Sequence, residues 1–341
     1  MADLSALPAA NAPVAAEKEF RKELGLFDSI MIVAGVMVGS GIFIVSAEIS
    51  RQVGSAGWLM VTWIITGILT VAGALSYGEL AAMMPKAGGM YVYLREAFSP
   101  MLGFLYGWTL LTVIQTGTIA AVAIAFARFS GVAFPGISES RYLVAPVHVL
   151  PDYAISLSTA QALALGVILL VAVINCYGVQ WGKLIQNLFT VAKLIGMGAL
   201  LALGAVAHFL HPDIFHANFA DAWQPLHVTK IGSAEATTAF GMMIALCVSQ
   251  TGSLFSADSW HDITFVAGEV RNPRRNLPLA LGIGTSLVIV LYLLCNFCYL
   301  AVLPVHAIQT APDDRVATLV VDTVLPGIGK LAMALLIMVS T

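Results

Sequence analysis

Gly39, Ser40 and Gly41 are the residues whose types and spacing best suit the binding of a small solute, because they interrupt an apolar segment at its centre. A glycine inside a helix costs about 1 kcal/mol relative to alanine. A break within hydrocarbon also leaves backbone polar groups unpaired unless they are buried in protein or line a cavity. The motif therefore indicates either close helix packing through small residues or an interrupted helix that exposes its backbone to a solute.

A second apolar segment is interrupted in a similar way, at a similar depth from its end. Its sequence from 251 to 265 is TGSLFSADSWHDITF, and the residues that break the apolar run are Gly252, Ser253, Ser256, Asp258 and Ser259. The two segments enter the membrane from opposite sides in the topology argued below. Paired interruptions in corresponding helices of two inverted halves indicate the substrate site of a secondary transporter.

A break at the first motif would expose backbone groups of both polarities. The second half-helix would begin near Ile42 and present free N–H groups at the positive end of its dipole, which favours a carboxylate by about 0.3–2 kcal/mol. The first half-helix would end near Met37 and present free carbonyl groups to an ammonium. An amino acid carries both charges close together, so the motif predicts an amino acid site that needs no charged side chain.

The composition places these segments in a membrane. The chain has 341 residues, of which 59% are hydrophobic and 10% are charged, against a usual charged share of about 25%. Since a spanning helix needs about 20 mostly apolar residues, we predict an all-α polytopic membrane protein within a lipid bilayer. The net charge of -3 indicates no nucleic-acid partner. The predicted segments are Ser29–Ser50, Trp58–Met84, Met101–Phe129, Ala160–Tyr177, Leu184–Ala207, Ala236–Phe265, Leu277–Leu303 and Ile328–Thr341.

The last predicted segment is short. At 1.5 Å per residue it reaches about 21 Å, less than a hydrocarbon core of about 30 Å. We therefore expect the chain to be truncated within its eighth helix.

The loops suggest an orientation. Residues 1–25 are polar and lack the apolar core of a cleaved signal, so we predict a cytoplasmic N-terminal tail. The basic cluster Arg271–Arg275 lies beside a predicted helix end, which favours a cytoplasmic position for it and for the N-terminus. The loops 130–157 and 208–235 would then lie outside, as ordered caps.

Four stretches of the sequence resemble one family. They are GVMVGSGIF (35–43), GELAAMMPKAGGMYVYLREAF (78–98), NCYGVQWGKLIQNLFTVAKL (175–194) and FSADSWHDITFVAGEVRNPRRNLP (255–278). In this order they are similar to the amino acid–polyamine–organocation superfamily, and most similar to its L-type amino acid transporter branch.

The resemblance implies twelve helices, ten of them in a LeuT-like inverted five-helix repeat with helices 1 and 6 broken. The chain would then divide into a first repeat at 26–208, an extracellular loop at 209–235 and an incomplete second repeat at 236–341. Helices nine to twelve would be missing.

The resemblance also implies roles for individual residues. Ser40 and Gly41 match positions whose N–H groups hold the substrate carboxylate, and the carbonyls of Met37 and Phe255 match those that meet its amino group. Phe255 is similar to the aromatic gate of the family. The sequence departs at Ala257, where many relatives carry tyrosine, and at Ser259, often glycine, which bears on the choice of substrate side chain. The predicted substrate-binding residues are Met37, Gly39, Ser40, Gly41, Phe255, Ser256 and Ala257.

Lys193 lies near the middle of the fifth predicted segment. A lysine there costs about 2.5–3.5 kcal/mol on insertion scales, and it is too deep to reach an interface. We therefore expect Lys193 to have a functional role. The resemblance implies a fixed replacement for a sodium ion, and we predict a bridge from the first break to the hydroxyls of Ser340 and Thr341.

Other polar residues allow more than one interpretation. Glu48 and Glu79 are expected at interfaces, with a proton relay as the alternative. Asp258, His261 and Asp262 have a spacing that would suit a metal, but without a third distant ligand we favour groups that line a vestibule or cap a half-helix. Two interpretations stay open, a polar path or hydrogen bonds between helices, for Gln115, Gln186 and Asn187. The four cysteines, Cys176, Cys247, Cys295 and Cys298, lie in apolar runs and are predicted to be buried thiols.

We expect secondary active transport of amino acids, by sodium-independent exchange and alternating access. The alternatives are an amino-acid sensor of the same fold and a proton-coupled amino acid or amine permease. No HExxH or GxSxG signature indicates an enzyme, and no cofactor or metal is expected. Loop 130–157 contains no cysteine, so no disulfide-linked heavy chain is expected; a stand-alone carrier of a bacterial inner membrane is the favoured interpretation.

Overall fold

The chain folds mostly into helices. A computed structural model describes residues 22–150, 153–176, 179–229, 236–327 and 329–340. The α-helices are α1 Leu26–Met37, α2 Gly41–Val53, α3 Ala56–Met83, α4 Met90–Ala97, α5 Pro100–Thr109, α6 Gln115–Ala133, α7 Thr159–Cys176, α8 Val179–Leu210, α9 Pro212–Ala220, α10 Ala239–Ser256, α11 Pro273–Val302, α12 Val305–Gln309, α13 Val316–Val324 and α14 Gly329–Ser340. A π-helical turn, Leu110–Ile114, joins α5 to α6, and three short 3₁₀ turns are Trp260–Thr264, Ala267–Glu269 and Pro312–Asp314.

Among the residues that the structure describes, five helical stretches are long and apolar enough to cross a membrane. They are Ala56–Met83, Pro100–Ala133, Gln186–Leu210, Ala239–Ser256 and Pro273–Val302. The pair α1 and α2 makes a sixth if it is taken as one span bent by 45°. This agrees with a multi-pass membrane protein.

The loop predicted at 130–157 contains a β-hairpin, so the all-α prediction was wrong there. Strand β1 (Tyr142–Leu150) pairs antiparallel with β2 (Tyr153–Ser158), and Val147 lies opposite Ile155. The stretch is rich in β-branched and aromatic residues, which favour strands.

The sixth predicted segment also differs from the structure. We expected the apolar run to be interrupted from Gly252 onward, but α10 continues through Gly252 and Ser253 and ends at Ser256. The Ser253 hydroxyl lies against α3, where Thr66 Oγ1 donates to Ser253 Oγ at 2.7 Å. The chain then leaves the α-helix, and Ser259 adopts a left-handed conformation with φ of 67°.

Helix α11 lies in the core of the described structure and contacts both α3 and α1. Small residues allow these close approaches, as is common between membrane helices. A Cβ atom on Gly284 of α11 would lie 2.9 Å from Cβ of Val33 on α1. The side chains of α11 that face α1 and α2 are therefore fixed in position relative to the first motif.

The outer loop predicted at 209–235 is ordered where it is described. Asn218 of α9 donates to the carbonyls of Leu300 and Leu303, both at 2.8 Å, and accepts from the N–H of Val305 at 3.0 Å. These contacts satisfy carbonyls at the end of α11 that have no donor within the helix.

The cysteines correct one prediction. Cys295 and Cys298 are buried, as predicted, but Cys176 and Cys247 are exposed on the surfaces of their helices. An apolar run did not distinguish a core position from a surface that faces lipid, because both are equally apolar.

Candidate functional site

The first motif is a break between two helices. Helix α1 ends at Met37, Val38 is extended, and the N–H of Gly39 turns back to the carbonyl of Met37 at 2.9 Å. Helix α2 begins at Gly41, and its N-cap residue Ser40 makes no side-chain capping bond. The first N–H groups of α2 have no acceptor within the helix. The break therefore presents backbone donors beside the carbonyls at the end of α1.

The end of α10 lies against the start of α2. A Cβ atom on Gly41 would lie 3.0 Å from Cβ of Ser256 and 3.2 Å from its Cα, so a side chain at position 41 would displace Ser256. The Ser256 hydroxyl is buried and, within the described part of the chain, has no hydrogen-bond partner. A Cβ atom on Gly39 would meet nothing within 4 Å. The two interruptions thus meet, with open space beside Gly39.

Tyr292 of α11 contacts both helix ends, and sequence reasoning missed it. Its hydroxyl lies 2.7 Å from the carbonyl oxygen of Met37 and 3.1 Å from that of Ser256, and the residue is fully buried. Asn296 and Tyr299 follow on the same face: Asn296 accepts from Ser46 of α2 at 2.7 Å, and Tyr299 donates to the carbonyl of Ile42 at 3.2 Å. The signal in the sequence was three polar side chains at helical spacing within an apolar span.

Phe255, in the last turn of α10, and Ala257, directly after it, have different environments. Ala257 is buried, and its N–H donates to the carbonyl of Ser253 at 3.0 Å. The ring of Phe255 is 67% exposed in the described structure. Its carbonyl oxygen lies 3.4 Å from the N–H of Asp258, at the end of the helix.

Lys193 of α8 reaches the end of α1. Its Nζ donates to the carbonyl of Gly35 at 2.9 Å. In an unbroken helix this carbonyl would accept from the N–H of residue 39, but Gly39 donates to Met37 instead. The break therefore frees the carbonyl that Lys193 occupies. Thr341 lies outside the described residues and Ser340 is described only as the last residue of α14, so the bridge to their hydroxyls stays a prediction.

The polar residues beside Lys193 join α8 to α1. Asn187 donates to Asp28 at 3.3 Å, and the amide of Gln186 lies beside Gly35. Of the two interpretations left open for Gln186 and Asn187, the contacts between helices are the ones seen. Gln115 lies at the start of α6, directly after the π-helical turn.

The acidic residues and the histidine differ in exposure and in their partners. Glu48 is exposed and pairs with Arg51 at 2.6 Å, and Glu79 is exposed on α3. His261 lies between two carboxylates, 3.9 Å from Asp258 and 3.8 Å from Asp262, distances too long for hydrogen bonds. Within the described ranges, no three His, Cys, Asp or Glu side chains are grouped to hold a metal ion.

Comparisons with known proteins give the family. Residues 24–341 match the family model described as amino acid permease. The b(0,+)-type amino acid transporter 1 of Mus musculus is 31% identical over 291 residues, which are 85% of this chain and 53% of the mouse protein. The large neutral amino acids transporter small subunit 2 of Homo sapiens is 31% identical over 279 residues, 82% of this chain and 47% of the human protein.

The chain spans about half the length of the curated relatives it matches. These relatives are named as transporters, not enzymes. The four motifs, the broken first span and the match to the family model agree: this chain belongs to the amino acid permease family, in the L-type branch of the amino acid–polyamine–organocation superfamily.

Proposed function

We propose that this protein is a secondary transporter that exchanges amino acids across a cell membrane by alternating access, without sodium. The observation that supports this most is the contact between the two helix interruptions, where Gly41 meets Ser256. In this proposal α1 and α2 form helix 1, and α10 with the 3₁₀ turns after it forms helix 6, of a LeuT-like inverted repeat. Binding sites in such repeats lie at discontinuous helices near the middle of the membrane.

Both charges of an amino acid have backbone partners in this proposal. The N–H groups of Ser40 and Gly41, at the start of α2, receive the carboxylate. The carbonyls at the ends of α1 and α10, of Met37 and Phe255, receive the ammonium. A Cβ atom on Gly39 would meet nothing within 4 Å, so the backbone at this position is open to the approach of a substrate main chain. Ala257, smaller than the tyrosine of many relatives, leaves room for the substrate side chain.

Sodium independence follows from Lys193 in this proposal. In a sodium-coupled carrier of this type, carbonyls freed by the unwound backbone coordinate the ion. Here the ammonium of Lys193 already donates to the freed carbonyl of Gly35. A permanent cation at that place removes the need for an external one.

We also propose the orientation and the partners. The N-terminus and the cluster Arg271–Arg275 lie in the cytoplasm of a bacterial cell. The carrier works without a disulfide-linked heavy chain, because the outer loop 130–157 offers no cysteine.

Uptake by the complete protein in sealed vesicles tests the proposal. Vesicles are loaded with an unlabelled amino acid or left empty, and labelled amino acids are supplied in sodium or in choline medium. We expect uptake that rises with internal amino acid and is equal in the two media. Binding without uptake would indicate a sensor, and uptake that needs an inward proton gradient would indicate a proton-coupled permease; either result would contradict the proposal.

Replacing Phe255 with alanine is expected to weaken apparent affinity by about tenfold and to slow exchange, because the ring no longer shields the bound substrate from water. Since Phe255 is exposed, its loss is expected to cost little stability. Phe240 is a matched control, as it lies on the same helix and is also 67% exposed. If Phe240→Ala and Phe255→Ala exchange like the wild type, Phe255 is not a gate.

A further inference from the structure

We infer that Tyr292 is a positioning residue that holds two backbone carbonyls at the spacing a primary ammonium requires, and so sets the preference of the site for unsubstituted amino acids. The inference rests on the proposed function. It starts from one contact: the Tyr292 hydroxyl lies 2.7 Å from the carbonyl oxygen of Met37 and 3.1 Å from that of Ser256. These residues are the last of α1 and of α10.

The position of the Tyr292 ring is fixed by its neighbours. The residue is fully buried, and the edge of its ring meets Trp63 of α3 with centroids 5.6 Å apart. One turn along α11, Asn296 donates to the carbonyl of Tyr292 at 2.9 Å and accepts from Ser46 of α2. Helix α11 is thus joined to both halves of the broken first span, and the hydroxyl of Tyr292 cannot follow one helix end away from the other.

The hydroxyl cannot satisfy both carbonyls at once. It has one proton to donate, while each carbonyl oxygen has two lone pairs. The N–H of Gly39 also donates to the carbonyl of Met37, at 2.9 Å. When Tyr292 gives its proton to the carbonyl of Ser256, one lone pair therefore stays free on each of the two carbonyls, which remain close together. Among the described residues, no ion pair involves a side chain at the carbonyls of Met37 and Ser256. A donor with several N–H bonds and a positive charge complements such a pair. An ammonium has three N–H bonds, enough for these two carbonyls and for that of Phe255 in the proposed site.

Ligands that differ only at nitrogen separate this role from a structural one. A primary ammonium can donate to both carbonyls, whereas an N,N-dimethyl amino acid has one N–H and can meet only one. If the hydroxyl of Tyr292 is removed, the helix ends are free to separate. The primary amino acid then loses affinity, and the dimethyl analogue, which never used both carbonyls, loses less. General loosening of the fold would weaken both ligands alike.

The experiment measures inhibition of labelled amino acid uptake by the unlabelled amino acid and by its N,N-dimethyl derivative, in the complete protein. The quantity of interest is the inhibition constant of the N,N-dimethyl derivative divided by that of the unmodified amino acid. We expect Tyr292→Phe to lower this ratio about tenfold, mainly by weakening the primary amino acid. Tyr299→Phe removes an equally buried hydroxyl from the same face of α11, at the carbonyl of Ile42, and is expected to leave the ratio within about twofold of the wild type.

A second substitution tests the inference if the Tyr292→Phe protein does not insert into the membrane. With 3-fluorotyrosine at position 292 the packing is kept and the hydroxyl is a stronger donor, so the ratio is expected to rise. A ratio unchanged by either substitution, or lowered equally by Tyr299→Phe, would overturn the inference while amino acid uptake by the wild type still supports the proposed function. Absence of wild-type uptake would instead reject the proposed function itself.

Discussion

Gly41→Val is expected to reduce amino acid exchange by about a hundredfold or more while the protein still inserts into the membrane. A Cβ atom at this position would lie 3.0 Å from Cβ and 3.2 Å from Cα of Ser256, so the branched side chain must push the ends of α2 and α10 apart. The N–H groups that receive the carboxylate then move from their places. A hydrogen bond to a charged group contributes about 1.5–3 kcal/mol, so losing one already costs about 10- to 100-fold in affinity.

The same substitution at Gly117 is the control. Gly117 lies on α6, and a Cβ atom there would meet nothing within 4 Å. Gly117→Val and Gly41→Val are compared for membrane abundance and for exchange rate in vesicles. Wild-type exchange by well-inserted Gly41→Val protein would show that this glycine is not part of the substrate site.

Lys193→Ala is expected to weaken substrate affinity by about 10- to 100-fold. The substitution leaves the freed carbonyl of Gly35 without the donor that now lies 2.9 Å away, and an unsatisfied buried acceptor costs about 1–3 kcal/mol. The end of α1 would then be less well fixed, and with it the carbonyl of Met37. The vacated space should let an external cation restore part of the activity, so that the variant, unlike the wild type, responds to sodium.

Uptake by the wild type and the variant is measured in sodium and in choline medium. Thr190→Val is the matched control, because Thr190 also lies on the face of α8 toward α1 and makes a long contact of 3.5 Å with the carbonyl of Met31, two turns before the break. Sodium-driven uptake by the wild type, or unimpaired uptake by Lys193→Ala, would refute the role of a fixed cation.

The break itself could be predicted from the sequence because its cause is local. Two glycines flanking a serine at the centre of an apolar segment favour the end of one helix and the start of another, and α1 and α2 do end and begin at Met37 and Gly41. Lys193 could be singled out for a similar reason, since a charge at that depth needs a partner. Its acceptor, Gly35, could not be named, because it is free only through the turn that Gly39 makes.

Features that depend on a second helix were not predictable in this way. Gly252 and Ser253 are residues of the kinds found at the first break, yet they stay within α10, where the Ser253 hydroxyl accepts a hydrogen bond from Thr66 of α3. Tyr292 is one of three polar side chains at helical spacing in an apolar span, and its role appears only when α11 is placed between the ends of α1 and α10. The hairpin at Tyr142–Ser158 was missed because its strand-forming residues occur within a stretch interpreted as loop.

The central claim is that backbone groups at the two helix interruptions bind both charges of an amino acid. Its most direct test is competition against labelled amino acid uptake by two analogues, the amine that lacks the carboxylate and the acid that lacks the amino group. Since each charged group contributes about 1.5–3 kcal/mol through its hydrogen bonds, each analogue is predicted to compete about 10- to 100-fold more weakly than the parent amino acid. Competition by either analogue as strong as that of the parent would contradict the account.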